Sequence, residues 1–296
     1  WPVRHDGWAW RYAADALMHA SGLPPLSKAQ HFKALHHNGA PLLLPNAWDA
    51  GSAALFAGLG FPAIATTSGG VAWSLGYADG EALPLAELLA AVRRMVRVVD
   101  VPVTVDFEAG FGATPQQVGE SVRTLLDTGA VGLNLEDGIA HTTLRPVEEA
   151  AQRIAAARQA ADAMGIPAFI NARVDNWIVG GADPQALFDD AVRRAHAYLA
   201  AGADGIYPIA LGDPAVIERF CAAVDAPVNM GARAGLPNLA TLQQLGVARV
   251  STATRLAMVA YSAARQTAQT LRETGEFSGL DASLGYDALQ RLFPTH

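Results

Sequence analysis

Asp106 and Glu108 stand two residues apart in VDFEAGFG (105–112), at the end of an apolar run. A carboxylate at the edge of a hydrophobic core is costly unless a cation, a metal ion or hydrogen-bond donors accompany it. Two further segments repeat the pattern: NLEDG (134–138) carries Asn134 and Glu136, and NARVD (171–175) carries Asn171 and Arg173. In an extended strand, residues two apart share a face. Asp106 and Glu108 therefore point one way, with Val103, Val105 and Phe107 on the other side. The same alternation sets Asn134 and Glu136 against Leu133 and Leu135, and Asn171 and Arg173 against Ile170, Ala172 and Val174.

Neighbouring strands lie about 4.8 Å apart, so the polar ends of three adjacent ones would meet. Asp106, Glu108, Glu136 and Arg173 then form one cluster with an acidic surplus. That surplus suits a hard divalent cation held by oxygen and keeping several waters, Mg2+ or alternatively Mn2+. A salt-bridge network plugging the same place suits these residues as well, and spacing alone does not choose. TTSGG (66–70) adds the Ser68 hydroxyl, and Gly69 and Gly70 let backbone N–H groups approach a carboxylate closely. A tight turn is the plainer reading of that stretch. Asp79, in GYADG, is either an acid over the same mouth or a surface-loop aspartate. Asn229, in NMGARAGLP, faces the mouth if its strand is in register; Gly231, Arg233 and Gly235 make either a phosphate loop or a turn.

What must position these groups is a regular alternation of elements. Apolar runs at 41–49, 61–70, 101–110, 130–138, 166–176, 203–211, 226–235 and 247–254 read as strands. Helical segments follow them, several opened by a cap and a proline: Thr114 with Pro115, Asp183 with Pro184, Asp213 with Pro214. Eight such repeats predict an α/β fold, a parallel (β/α)8 TIM-type barrel, whose chemistry sits at the carboxyl ends of the strands. An open doubly wound sheet fits less well, because no glycine-rich dinucleotide fingerprint follows the first strand. We expect one barrel domain over 26–296 and an N-terminal extension over 1–25 that stands outside the fold argument.

The bulk numbers narrow the function classes. At 296 residues and 51% hydrophobic content, one large core is within reach. A net charge of −7 with no cationic run argues against nucleic-acid binding. No run of about 18 apolar residues free of charges and helix breakers predicts a membrane span. The single cysteine, Cys221, rules out an internal disulfide framework and fits a reducing, cytoplasmic setting. It lies in an apolar helix and reads as a small core residue, not a nucleophile.

In their order, TTSGGVAWSLGYADG, VDFEAGFG, NLEDG and NARVD resemble the isocitrate lyase/phosphoenolpyruvate mutase superfamily, from about residue 26 to the C-terminus. The resemblance implies a Mg2+-dependent lyase or mutase that acts on a small 2-oxo carboxylate or its enolate. By motif, Asp106 would hold the metal, with Glu108 and Glu136 assisting through water. Glu108 stands where many members have aspartate. Ser68, Gly69 and Gly70 would take the substrate carboxylate, Arg173 would offset the oxyanion, and Asp79 matches the acid after the Ser-Gly motif. The resemblance also implies exchange of the last helix between subunits, giving a homodimer or homotetramer, with LDASLGYDALQRLF (280–293) as the exchanged segment.

One stretch departs from the pattern. The lyase branch carries a Lys-Cys-Gly-His-type loop after strand four; here EDGIAHTTLRPVEEA (136–150) has neither Lys nor Cys and is short. His141 is the titratable replacement as acid or base, or else an exposed loop histidine. The expected chemistry is C–C cleavage of lyase, decarboxylase or hydrolase type. The alternatives are C–P chemistry, as in phosphonomutases and phosphonopyruvate hydrolases, or a barrel that binds 2-oxo acids without turnover.

Overall fold

A computed structural model describes residues 25–281 and 284–293, so nearly all of the expected N-terminal extension lies outside the described residues. Short parallel strands, each leading into a helix, run the length of the chain. They are β1 (Leu42–Leu44, resumed beyond Pro45 as Asn46–Ala47), β2 (Ile64–Thr66), β3 (Val103–Asp106), β4 (Gly132–Glu136), β5 (Phe169–Val174), β6 (Gly205–Pro208), β7 (Asn229–Gly231) and β8 (Arg249–Ser251). The helices are α1 (Pro25–Leu35), α2 (Ala50–Gly58), α3 (Ser68–Ser74), α4 (Leu85–Val98), α5 (Pro115–Leu126), α6 (Val147–Ala163), α7 (Asn176–Val179), α8 (Pro184–Ala200), α9 (Pro214–Ala223), α10 (Leu239–Gln244), α11 (Arg255–Thr274) and α12 (Tyr286–Gln290). An antiparallel hairpin, Gly138–Ile139 with Thr143–Leu144, interrupts the alternation after β4.

Pairing runs from β1 through β6 in chain order, and β7 pairs with β8. A bridge between Ile206 and Val228 joins β6 to β7, and the register of Leu42 with Arg249 joins β8 to β1. The ring closes, and the fold is the expected (β/α)8 barrel. Pro45 has no N–H to give, and at that point the first strand changes partner from β8 to β2. The helix starts are those the sequence predicts. Thr114 closes a capping box with Gln117 ahead of Pro115, and Asp183 and Asp213 each accept two backbone N–H bonds ahead of a proline.

Strand alternation divides the core in two. Val103, Val105, Phe107, Leu133, Leu135, Ile170, Ala172 and Val174 pack outward against the helices. Leu42, Leu44, Ala63, Ala65, Val131 and Phe169 gather with Ala29, Phe32 and Leu35 of α1, which seals the end of the barrel where strands begin. The polar end is left for ligands. Among the described residues no helix is long and apolar enough to cross a membrane.

Among the described residues of 280–293 only Tyr286–Gln290 forms an α-helix; the long, poorly covered helix is α11, stopped by Gly275 in the left-handed region (φ 68°). Of its twenty residues only Ala257 is buried, and Met258, Val259 and Tyr261 are exposed.

His36 follows α1 and is 4% exposed. Its ring stacks on Phe169 at 3.8 Å, and Nδ1 lies 2.8 Å from the Phe32 carbonyl, so Nδ1 carries the proton. Burial, then the charge of Arg249, pushes its pKa down to about 3. The unfolded chain takes up this proton near pH 6.5 while the folded chain refuses it. Stability is therefore complete above that pH and falls as the pH drops toward 3, by roughly 4–5 kcal/mol in all. In urea titrations across pH 7 to 4, His36→Phe should keep the ring stack and flatten this part of the slope. An unchanged slope would show that His36 is protonated in the folded protein.

Candidate active site

Three inward-facing positions in register, Asp106 on β3, Asn134 on β4 and Asn171 on β5, form the floor of the polar end. One pleat further along, Glu136 and Arg173 pair across the same strands, and Tyr207 of β6 is next in line. Asp106 Oδ2 accepts the Ser68 backbone N–H at 3.1 Å, and Oδ1 lies 3.4 Å from Asn134 Nδ2. Glu108 follows with φ 47°, a left-handed conformation that non-glycine residues seldom adopt. Its Oε2 accepts the Glu81 N–H at 2.6 Å, and Glu81 in turn accepts the Phe111 N–H at 2.8 Å. Glu81 and Phe111 also have positive φ, so strained backbone rims this edge of the mouth.

Arg173 is the anchor. Its Nη1 meets Glu136 Oε2 at 2.6 Å, and Nε and Nη2 each donate at 2.7 Å to the two oxygens of Asp175. Asp175 is fully buried, and its own N–H donates to Asp137 Oδ1. Asp137 Oδ2 accepts from Tyr198 at 2.6 Å and Arg194 at 3.1 Å, and Arg194 reaches on to Asp190. Burial works against the Arg173 charge, but Glu136 and then Asp175 outweigh it and hold the guanidinium protonated. Burial pushes the Glu136 carboxyl up to about 8 against the pull of Arg173, with Asp175 and Asp106 adding to the rise. Glu108 is likewise pushed up to about 8, by burial and then by the charge of Asp106.

Ser68, Gly69 and Gly70 open α3, and no side chain caps that helix. Ser68 N–H is committed to Asp106, whereas Gly69 and Gly70 lie ahead of the first intrahelical bond, from Val71 N to Thr67 O. A Cβ on Gly70 would meet Thr67 Cγ2 at 2.6 Å and Trp48 Cβ at 2.9 Å, so packing demands glycine there. Asp79 is exposed and hangs over this turn, its Oδ2 3.1 Å from where a Gly69 Cβ would be. His141 sits at the tip of the hairpin after β4. Ala140 (φ 48°) and His141 (φ 57°) form its turn, closed by Thr142 N–H to Ile139 O. Two positive φ values make this a type I′ turn, which ordinarily takes Asn-Gly. His141 Nδ1 lies 3.9 Å from Asp175 Oδ2. A Cβ on Gly138 would collide with that oxygen, so glycine lets the hairpin lie against Asp175.

The predicted residues Asp79, Asp106, Glu108, Glu136, Arg173 and the Ser68–Gly70 turn thus gather at one end of the barrel. Asn229 is buried inside the barrel, in register with Arg249 and bonded to Ser251 at 3.2 Å. Arg233 folds over Gly212, joining the loops after β6 and β7. Cys221 is half-buried in α9, and burial pushes its thiol up to about 12, in keeping with a packing role. The histidines of the α1 segment lie with the opposite, apolar end. Sequence reasoning passed over Asp175, Asp137, Glu81 and Arg249. Asp175 was findable, since it shares the parity of Arg173 two residues on; Arg249 was signalled only as a lone charge in VARVS.

The donor set fits a hard divalent cation. It is all oxygen, and two of its carboxyls are held above their ordinary range by burial first and by neighbouring acids second, both of which a bound cation would offset. Among the described residues no three acids, histidines or cysteines form a closed cage, and Glu136 is engaged with Arg173. Few protein ligands and several waters is the coordination Mg2+ prefers.

Comparison with known proteins agrees with this geometry. A family model described as phosphoenolpyruvate phosphomutase matches residues 32–272. The 2-methylisocitrate lyase of Escherichia coli is 32% identical over 209 residues, covering 68% of this chain and 69% of that protein. An oxaloacetate decarboxylase of Rhodopseudomonas palustris is 35% identical over 166 residues, covering 53% of this chain and 54% of its own. A Burkholderia cenocepacia structure under a provisional phosphonomutase name is 42% identical with a TM-score of 0.79, covering 86% of this chain and all of its own.

Replacing Asp175 by Asn strips Arg173 of its two-pronged carboxylate while leaving the shape intact. Breaking a buried pair on one side typically costs about 3–5 kcal/mol. Urea denaturation of Asp175→Asn should show a loss of that order with an unchanged m value. A loss under about 1 kcal/mol would mean that Glu136 alone suffices to hold the arginine.

Proposed function

The chain belongs to the phosphoenolpyruvate phosphomutase family, in the superfamily of lyases and mutases that includes the isocitrate lyases, and from that premise we propose that it cleaves a C–C bond in a 2-oxo acid with the help of Mg2+. The observation that carries this reading is the placement of Arg173, locked by Glu136 and Asp175, one pleat beyond Asp106 on the same inward face and within reach of its charge. Asp106 is the residue we assign to hold Mg2+ or Mn2+ directly, with Glu108 and Glu136 acting through water. Bound there, the cation would supply Lewis-acid charge to the developing enolate oxygen.

The chain's own groups do the rest. The N–H groups of Gly69 and Gly70 and the Ser68 hydroxyl bind the substrate carboxylate, and Asp79 closes over them. Arg173 faces the oxygen on which charge grows as the bond breaks. Its guanidinium is already oriented, so no reorganisation is needed at that moment. His141 delivers a proton to the enolate carbon from the hairpin, its Nδ1 3.9 Å from Asp175 Oδ2. The strained turn and the Asp175 contact favour this over an idle surface histidine. The hairpin is short, which disfavours C–P chemistry. The oxaloacetate decarboxylase relative favours a small dicarboxylic substrate.

The exposed face of α11 is the surface we assign to a second copy of this chain. The eighth helix of such a barrel ordinarily buries an apolar stripe on its own strands, yet here Met258, Val259 and Tyr261 face solvent.

Assays with Mg2+ and oxaloacetate, methylisocitrate, dimethylmalate and phosphonopyruvate should find turnover of a C–C substrate, inhibited by oxalate. Oxalate binding without any turnover would leave a 2-oxo-acid-binding barrel; no binding and no turnover sinks the reading. With the substrate found, His141→Gln should lower kcat by about 10²–10⁴ and leave KM nearly unchanged. In light scattering the chain should run as a dimer or larger, and Val259→Asp should shift it toward monomer; a monomeric parent removes the assembly proposal.

A further inference from the structure

Arg249 is the inward-facing residue of β8 and is 1% exposed. Its side chain crosses the barrel from β8 to β4, ending with Nη2 3.4 Å from Asn134 Oδ1. Nε and Nη1 have no hydrogen-bond partner, and among the described residues no carboxylate lies within 4.0 Å of the guanidinium. Beneath it is the ring of Phe32, 6.0 Å from Cζ to the ring centre. Burial pushes its pKa down to about 10, and the charges of Tyr207 and Asp106 oppose that only from a distance. A buried cation without a close ion pair costs several kcal/mol, and an apolar side chain of similar size would fill the space without that cost. Packing therefore does not account for an arginine here.

What the cation does is choose the direction of an amide. A guanidinium can only donate. Asn134 must turn Oδ1 toward Arg249, and Asn171 Nδ2 donates to the same oxygen at 2.9 Å. The Nδ2 of Asn134 is then the group that faces Asp106 Oδ1 at 3.4 Å. Left to themselves, the two amides could pair equally well the other way round, since Asn171 Oδ1 is buried with no partner and could accept from Asn134. That reversed pair would aim the Asn134 oxygen at the Asp106 carboxylate, acceptor against acceptor.

We propose that Arg249 is a positioning residue of the site: a buried cation that sets the polarity of the Asn171–Asn134–Asp106 chain and so holds Asp106 ready for a divalent cation. The proposal rests on the reading of Asp106 as metal ligand. Mn2+ affinity, read by electron paramagnetic resonance, and the thermal midpoint of the metal-free protein test it together. Arg249→Met should weaken Mn2+ binding about tenfold, with a midpoint equal to or above that of the parent. Asn134→Ala should weaken binding to a similar degree, and the double variant no further, because the two residues act as one unit. Arg249→Lys keeps a pure donor and should recover most of the affinity; it also serves if the methionine variant does not fold. Unchanged Mn2+ affinity in Arg249→Met, or losses that add in the double variant, overturn the proposal. So does a metal-free midpoint lowered by more than about 5 °C in both Arg249 variants, which marks a structural role. Failure of the parent protein to bind Mn2+ overturns the reading of the site itself, and the metal-free midpoints then still decide whether Arg249 is structural.

Discussion

The grip on Arg173 is the constraint around which the polar end of the barrel is organised. Burying this guanidinium is costly unless its donors are taken up, and Glu136 and Asp175 do so from two sides. Asp175 can serve because Asp137 holds its backbone, and Asp137 can be buried because Tyr198 and Arg194 share its other oxygen. The chain of partners runs from the mouth through the wall to α8. Each link neutralises the desolvation cost of the one before it, so the arginine is rigid without any single strong contact being responsible.

A second property follows from charge counting. Asp106, Glu108, Glu136 and Asp79 crowd one end, and the arginine there is already shared by two acids. Burial raises the carboxyls of Glu108 and Glu136, and that surplus adds to the rise. Positive φ values at Glu81, Glu108, Phe111, Ala140 and His141 lie on the loops around the same end. Backbone strain of this kind persists where surrounding contacts over-determine it, and here those contacts are the carboxylate–amide bonds of the loops themselves.

Much of the architecture was legible beforehand because it depends on local rules. Strand alternation put Val103, Leu133 and Ile170 against the helices and Asp106, Asn134 and Arg173 inside, and the cap-plus-proline pairs marked three helix starts. The C-terminal segment was harder. The resemblance pointed to 280–293, yet the long uncovered helix is Arg255–Thr274, and nothing local distinguishes a helix covered by its own barrel from one left bare.

The sequence by itself determined the barrel, the inward parity of the acids and the Ser-Gly turn, because each follows from periodicity over a few residues. Only the tertiary structure decided which acids hold Arg173, that His141 lies 3.9 Å from Asp175, that Asn229 bonds to Ser251, and that Arg249 spans the barrel to Asn134. The reason is geometric. Parity gives the face on which a side chain lies, but its partner across the barrel depends on closure and register over 38 positions, as for Asp137 and Asp175, or 115, as for Arg249 and Asn134.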